Sequence, residues 1–418
     1  MLDTLFPGKE IVIVADENTY RVAGSEVFKI LNAAGVTMRE NFIFRDPELY
    51  AEWSYLEELE SYIGQTDAVP VAVGSGVIND LTKLASHHLG RRYIIVGTAA
   101  SMDGYTAYGA SITYEGNKQT FDCPAPLGVV FDPAIAAKAP AGMSASGYAD
   151  LLAKVPAGAD WMISDAVGSE PIDDFVFGLV QKNLRKALSD PSAVANGDVE
   201  ATGMLADGLI MSGFAMQAIS SSRPASGTDH QFSHFWDMEG LCYKGRHVSH
   251  GFKVGIGTMV STACLEFLIS KDLTNLDIDS CVASWPTWEE QEQYIRKIFE
   301  GKPGHLARGL AESEAKYCGP EGVRSQLESI SACWPELREK IRKQIIPFED
   351  VRKMLKLAGA PSSPEEIGVS KARLRDTFKC IPFMRNRFTG IDLIYRAGLL
   401  DEVTEHIFGR GGKFEVEG

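Results

Sequence analysis

The first third of the chain alternates short, continuously apolar runs with segments of helical periodicity. The apolar runs predict strands at 10–15, 36–44, 68–73, 92–96 and 127–131. The helical segments between them are 23–34, 50–64 and 77–89. Continuously apolar strands separated by helices are typical of a parallel sheet that is covered on both faces. The pattern therefore predicts an α/β region, with a hairpin where 110–113 and 120–121 flank a polar turn.

After about residue 140 the strand signals almost vanish and helical periodicity dominates. The predicted helices are 148–165, 173–189, 200–220, 250–269, 288–299, 321–345, 348–357 and 371–380. We therefore expect two domains, an α/β domain over residues 1–135 and an all-helical domain over residues 136–418.

Composition narrows the class of protein. The 418 residues suffice for two or three domains, and the net charge of −15 argues against a nucleic-acid partner, because phosphates would be repelled. The seven cysteines are scattered without a CxxC pair, which favours a reducing compartment. We see no signal-peptide pattern and no apolar stretch of membrane-spanning length. These observations together predict a cytoplasmic protein without a membrane partner.

A glycine-rich turn follows the third predicted strand and opens a helix. Its residues Gly74 and Gly76 would let the backbone approach a pyrophosphate, whose charge the free amides of a helix start attract. The full dinucleotide fingerprint needs a third glycine, where Asn79 stands, so spacing alone leaves an ordinary tight turn equally open. A second turn of small and hydroxyl residues, 97–104, follows the next strand. Two such turns at neighbouring strand ends line a crevice in which a ligand can bind.

Four side chains of metal-ligand type are candidates for chemistry. His230 and His234 are four residues apart and would share one helix face, His250 follows 20 residues after His230, and Asp150 opens a different helix. Carboxylate and imidazole suit a borderline divalent ion that keeps a position open for substrate. Spacing alone favours this only slightly over solvent-facing histidines and a capping aspartate.

Five segments, taken together, resemble the glycerol-1-phosphate dehydrogenases. This family lies within the superfamily of iron-containing alcohol dehydrogenases, glycerol dehydrogenases and dehydroquinate synthase-like proteins. The segments are Gly74–Lys83, Thr98–Gly104, Ala145–Lys154, Ser226–His234 and His250–Gly257. The resemblance implies a Rossmann-like sheet domain followed by a helical domain, with the active site in the cleft between them.

The resemblance also implies roles for individual residues. Asp150, His230 and His250 would hold one divalent metal, with zinc or nickel expected and iron as an alternative. Asp103 would hydrogen-bond a substrate hydroxyl, and His234 would face the substrate. Residues expected to contact the dinucleotide are Asp16, Gly76, Val77, Ile78, Asn79, Asp80, Thr98, Ala99, Ala100 and Ser101. The family often has a hydroxyl residue where Ala107 stands, so Thr106 would have to supply that contact.

Two further expectations concern the ligands. Lys154 lies one turn after Asp150, and we favour it as the donor to a substrate phosphate over Arg223, Lys244 and Arg246. A carboxylate at Asp16 would repel a 2′-phosphate, which favours NAD over NADP.

The activity that the resemblance implies is interconversion of dihydroxyacetone phosphate and sn-glycerol 1-phosphate, in phospholipid biosynthesis, by a homodimer. Three alternatives stay open. They are a glycerol dehydrogenase for unphosphorylated polyols, a lyase or cyclase like dehydroquinate synthase, and a non-catalytic binding protein that retained the fold.

Overall fold

The computed structural model describes residues 1–416 and divides into two compact units. Unit 1 comprises residues 1–151 and 182–222, and unit 2 comprises residues 152–181 and 223 onward. The helices within residues 182–222 thus pack in the same unit as the sheet. This grouping does not test where an independent folding domain ends, so the boundary at 135/136 stays a prediction.

Unit 1 contains a five-stranded, fully parallel sheet of order β2-β1-β3-β4-β7. The described strands are β1 Ile11–Asp16, β2 Phe42–Phe44, β3 Val69–Gly74, β4 Ile94–Gly97, β5 Ala110–Tyr114, β6 Asn117–Phe121, β7 Gly128–Phe131, β8 Cys242–Tyr243 and β9 Arg246–His247. Strands β5 and β6 form the predicted hairpin, which is confirmed, and β8 and β9 form a short hairpin in unit 2 that was not predicted.

The helices alternate with the strands up to β4, and after β7 they dominate the chain. Their bounds are α1 Leu2–Leu5, α2 Glu17–Thr19, α3 Ser25–Ala33, α4 Trp53–Ile63, α5 Gly76–His88, α6 Pro133–Ala136, α7 Ala141–Leu152, α8 Lys154–Ala166, α9 Asp174–Gln181, α10 Leu184–Ala187, α11 Pro191–Ala195, α12 Val199–Ile219, α13 Thr228–Met238, α14 His250–Ser270, α15 Ile278–Ala283, α16 Trp288–Ile298, α17 Pro303–Lys316, α18 Pro320–Gln344, α19 Phe348–Leu357, α20 Lys371–Cys380, α21 Gly390–Arg396 and α22 Leu400–Phe408. A π-helical turn over Tyr20–Gly24 joins α2 to α3.

The sheet is apolar on both faces, as its continuous apolar strands predicted. Along β1, Val12 and Val14 pack into one buried cluster, whereas Ile11 and Ile13 pack into the cluster on the opposite face. Alternate strand residues point to opposite faces, so two-sided burial requires apolar residues at every position. The predicted fold class, a parallel α/β sheet followed by a helical C-terminal part, is confirmed.

Three predicted elements were wrong in extent. The strand expected at 36–44 is limited to β2, since Met38 makes only an isolated bridge and the polar residues 39–41 follow it. The helix expected over 148–165 is two helices, α7 and α8. Pro156 in the first turn of α8 has no N–H, so it cannot continue the hydrogen bonding of α7. The helix expected over 173–189 is likewise interrupted after Gln181.

One helix corrects the expectation about membrane-spanning length. Among the described residues, α14 is long and apolar enough to cross a membrane by length and composition, with a mean hydropathy of 1.5. However, 83% of its most apolar window is buried inside the protein. A buried core helix passes the same test, so length and composition carry little weight here.

Candidate active site

Asp150, His230 and His250 form a group of side chains that could hold a metal ion. Each offers one ligand atom, and the three atoms lie within 4.8 Å of one another. Asp150 is fully buried, His230 is 6% exposed, and His250 is half-buried. One carboxylate and two imidazoles at this spacing form a donor set that a divalent ion can occupy.

The two histidines are brought together by a close crossing of α13 and α14. A Cβ added at Gly257 of α14 would lie 2.1 Å from the backbone oxygen of Asp229. Only glycine therefore permits this approach. It sets the ring centroids of His230 and His250 5.4 Å apart.

Each of these imidazoles has a polar partner at Nδ1. The Nδ1 atom of His230 lies in short hydrogen-bond contact with the carboxylate of Asp229, and Nδ1 of His250 lies 3.2 Å from the hydroxyl of Ser233. A partner at one ring nitrogen fixes the orientation of the ring.

His234 lies one turn after His230 on α13, and its Nε2 atom is 3.2 Å from Nη1 of Arg385. Burial, followed by the positive charges of Arg385 and Arg308, holds the pKa of His234 well below its usual range. His234 is therefore neutral at pH 7. Because a guanidinium only donates, Nε2 must accept, and the proton of the neutral ring is on Nδ1.

In unit 1, Asp150 and Asp103 are linked through the backbone. The amide of Asp103 donates to Oδ2 of Asp150 over 3.1 Å, and the hydroxyl of Ser212 donates to Oδ2 of Asp103 over 3.0 Å. A Cβ at Gly147, one turn before Asp150, would lie 2.0 Å from the backbone oxygen of Ala100. Helix α7 thus lies directly against the turn after β4.

The predicted dinucleotide residues lie at one edge of the sheet. Strands β1, β3 and β4 are neighbours and parallel, so their carboxyl ends share this edge. Asp16 ends β1, Gly76 opens α5 after β3, and 98–101 follows β4. The turns after β3 and β4 are joined where the amide of Thr98 donates to the backbone oxygen of Gly74 over 3.1 Å. This edge is where ligands of open α/β sheets bind.

Comparisons with known proteins agree with this architecture. A family model described as iron-containing alcohol dehydrogenase matches residues 1–140. The chain is 30% identical to the glycerol-1-phosphate dehydrogenase [NAD(P)+] of Bacillus velezensis over 92% of this chain and 84% of that protein. It is 36% identical to the enzyme of the same name from Halalkalibacterium halodurans, over 60% of this chain and 64% of that protein.

The chain belongs to the glycerol-1-phosphate dehydrogenase family. Among solved structures it is similar to a glycerol dehydrogenase from Schizosaccharomyces pombe, with a TM-score of 0.59 and 17% identity over 96% of this chain and 86% of that one. At this identity the likeness shows the fold alone. The family is one of oxidoreductases, so membership confirms the predicted class of enzyme.

Two residues that the resemblance implies for cofactor binding already make hydrogen bonds inside the protein. Asn79 is fully buried; its side chain donates to the backbone oxygen of Gly104 over 3.3 Å and accepts from the hydroxyl of Tyr93 over 2.8 Å. Thr106 is also fully buried and donates to the backbone oxygen of Ile210 over 2.7 Å. These bonds support a structural role for both side chains, and their predicted nucleotide contacts stay untested.

The residues proposed for the phosphate are dispersed. Lys154 opens α8 and is fully buried. Arg223 is 2% exposed, donates to the backbone oxygen of Phe388 over 3.0 Å and lies 3.4 Å from Glu170. Lys244 and Arg246 are exposed on the β8–β9 hairpin.

Sequence reasoning missed Lys83 and Arg385. The ammonium of Lys83, buried on α5, donates to the backbone oxygens of Gly104, Ala107 and Gly109 over 2.8, 3.0 and 3.0 Å, and so shapes the segment after Asp103. Lys83 lies one helical turn after Asn79 and Asp80, and this polar spacing was the available signal. Arg385 is 151 residues from His234, and nothing local in the sequence marked it.

Proposed function

We propose that this protein interconverts dihydroxyacetone phosphate and sn-glycerol 1-phosphate with a nicotinamide cofactor and one divalent metal ion. The observation that carries the proposal is the group of Asp150, His230 and His250 within 4.8 Å. Family membership supports the substrate, since the relatives carry the name glycerol-1-phosphate dehydrogenase [NAD(P)+].

The residues present fit a metal ion. Asp150, His230 and His250 each offer one ligand atom. Hydrogen bonds from the amide of Asp103 to Asp150, and contacts of Asp229 and Ser233 with Nδ1 of the two histidines, hold these side chains in place. When bound, such an ion polarises a carbonyl and stabilises negative charge that develops on its oxygen. Zinc or nickel is proposed, with iron as the alternative, because these metals share ligand types.

The chain's own groups would orient the substrate. Nicotinamide supplies the hydride, as its chemistry dictates. The Nδ1–H of neutral His234 is a donor that can hydrogen-bond a substrate oxygen, and the proton that the reduced oxygen takes up would come from solvent. The carboxylate of Asp103, oriented by Ser212, is an acceptor for a substrate hydroxyl. His234 lies one helical turn after His230, and the backbone amide of Asp103 donates to Asp150, so each is close to a proposed metal ligand.

For the cofactor, we propose that the turns after β1, β3 and β4 bind NAD. The amides at the start of α5 suit the pyrophosphate. Asp16 supports NAD over NADP, although its carboxylate already accepts one bond, from the amide of Thr19 over 2.7 Å. Nucleotide contacts by residues 76–80 and 98–101, and a phosphate contact by Lys154, remain part of this proposal.

The decisive experiment is a chiral product assay. Purified, metal-loaded enzyme is mixed with NADH and dihydroxyacetone phosphate, and the product is scored as the sn-1 or sn-3 phosphate. We expect the sn-1 product, faster turnover with NADH than with NADPH, and loss of turnover after chelation that is restored by zinc or nickel. Exclusive turnover of unphosphorylated dihydroxyacetone would identify a polyol dehydrogenase instead. Product formation without net NADH oxidation would point to a lyase or cyclase.

Three further properties are proposed. The resemblance implies a homodimer and a role in phospholipid biosynthesis, and the composition favours a cytoplasmic location. Light scattering of the purified protein tests the first directly.

A further inference from the structure

Residues 384–389, which we term the Arg385 loop, are fixed at both ends in unit 2. Before Arg385, the backbone oxygen of Met384 accepts from Nε of Arg308 over 3.4 Å. After it, the amide of Asn386 donates to Oε2 of Glu312 over 2.8 Å. The backbone on both sides of Arg385 is therefore held by helix α17.

The second half of the loop is fixed as firmly. Arg387 donates to the backbone oxygen of Ser226 over 2.9 Å, just before α13 begins. Asp160 then accepts from the amides of Thr228 and Gly390 over 2.6 and 2.7 Å. One buried carboxylate thus joins the starts of α13 and α21, and so fixes the Arg385 loop relative to the helix of His230 and His234.

The side chain of Arg385 differs from the neighbouring arginines. Arg308 lies 3.6 Å from a carboxylate oxygen of Glu312, and Arg387 lies 3.9 Å from one of Glu170. Within residues 1–416, no carboxylate oxygen lies within 4.0 Å of the Arg385 guanidinium, whose hydrogen-bond partner is His234. Arg385 is therefore a partly exposed cation held beside a proposed substrate-facing residue without an anionic partner.

Positive charges dominate the surroundings of Arg385, in a chain whose net charge is −15. Arg387 and Arg308 act on Arg385 most strongly, and the carboxylates of Glu312 and Glu170 act in the opposite direction less strongly. Burial, then the charges of Arg387 and Arg308, lowers the pKa of Arg385 to about 9, so it is still protonated at pH 7. A dianion beside the guanidinium would relieve this unfavourable environment.

We propose that Arg385 is the specificity-determining residue that binds the substrate's phosphate. The assignment rests on the proposed function and replaces Lys154 as the principal phosphate donor. A guanidinium presents paired donors that match two phosphate oxygens. Arg385 contacts His234, so a phosphate bound by Arg385 would lie next to the residue that would face the substrate's oxygen atoms. A three-carbon substrate is short and requires the two groups to be this close.

The test compares phosphorylated and unphosphorylated substrate in Arg385→Gln, Arg385→Lys and a control, Arg352→Gln, at an exposed position on α19. For Arg385→Gln we expect KM for dihydroxyacetone phosphate to rise roughly 10- to 100-fold, as for loss of a charge-assisted bond. KM for dihydroxyacetone should change less than about twofold. Arg385→Lys should recover part of the loss, and the control should match the wild type.

A binding measurement separates this role from a structural one. In calorimetry with NAD⁺ present, sn-glycerol 1-phosphate should bind Arg385→Gln more weakly by the same factor, with an unchanged midpoint of thermal unfolding. In the wild-type enzyme, inorganic phosphate should compete with dihydroxyacetone phosphate and not with dihydroxyacetone. This test does not depend on the folding of any variant.

The outcomes distinguish the two proposals. Equal effects of Arg385→Gln on both ketones, or an altered KM for NADPH alone, would overturn the phosphate assignment and leave the proposed function intact. A wild-type enzyme that does not turn over dihydroxyacetone phosphate would overturn the proposed function itself.

Discussion

Glycines allow close approach of the backbone both at the sheet edge of unit 1 and between α13 and α14 of unit 2. The two regions differ in what positions their functional groups. Gly147 lets α7 touch the turn after β4, and Gly257 lets α14 touch α13. At the sheet edge, the candidate groups lie on turns whose backbone is held by side chains such as Lys83. On the helix pair, the candidate groups are imidazoles oriented by neighbouring carboxylate and hydroxyl groups.

This difference predicts how each region responds to mutation. Where backbone atoms bind a ligand, side chains can change freely as long as the turn keeps its shape, so glycines and buried anchors are the sensitive positions. Where side chains bind an ion, the ligands and their hydrogen-bond partners are sensitive instead. The following predictions test that contrast.

The largest effect is expected at a proposed ligand in unit 2. His250→Ala should remove bound metal and lower turnover by roughly 10³-fold or more, because an ion that stabilises developing charge contributes several kcal/mol. The far-UV circular dichroism should be unchanged, since His250 is the first residue of α14 and is only half-buried. Elemental analysis and turnover of the purified variant measure this.

The control for that variant is His87→Ala, at an exposed histidine on α5. It should keep both metal and activity. Full metal occupancy in His250→Ala, together with normal turnover, would contradict the ligand assignment.

The next effect is expected at the backbone contact of unit 1. Gly147→Ala would place a Cβ 2.0 Å from the oxygen of Ala100, so α7 must move away, at a cost of about 3 kcal/mol. Urea unfolding measures the loss, and NADH fluorescence should show weaker binding because the 98–101 turn shifts. Gly142→Ala on the same helix meets nothing within 4 Å and should be neutral or stabilise by up to about 1 kcal/mol. Equal stability of the two variants would show that the close approach is not a constraint.

A smaller effect is expected at a hydrogen-bond partner in unit 2. Asp229→Asn should lower metal affinity by about 10- to 100-fold, because the neutral amide orients His230 less strongly. Competition with a chromophoric chelator gives the affinity without relying on activity. Asp279→Asn, at an exposed carboxylate, is the matched control. An unchanged affinity in Asp229→Asn would remove the contrast between the two regions.

The sequence predicted whatever follows from local pattern. Strand and helix alternation gave the sheet, and a spacing of four placed His230 and His234 on one face of α13. Asn79 at the third glycine position was a local anomaly, and the structure gives it buried partners. What could not be predicted depends on contacts distant in sequence. Arg385 meets His234 only after the chain has folded.

The smallest effect concerns the buried carboxylate that joins α13 to α21. Burial raises the pKa of Asp160 to about 6, from about 4 in the unfolded chain. Because the folded state holds the proton more tightly, this group's contribution to stability is full below about pH 4 and is lost as pH rises through 6. Linkage gives about 1 kcal/mol more stability from Asp160 at pH 5 than at pH 7.

Urea unfolding of the wild type and of Asp160→Asn at both pH values measures this difference in stability. The variant should lose the increment. An identical pH dependence in the two proteins would show that Asp160 does not titrate in this range. Asp165→Asn, on the same helix near its end, should keep the wild-type dependence. In unit 2, burial would then raise the pKa of a carboxylate against the hydrogen bonds from Thr228 and Gly390 by which it joins two helix starts.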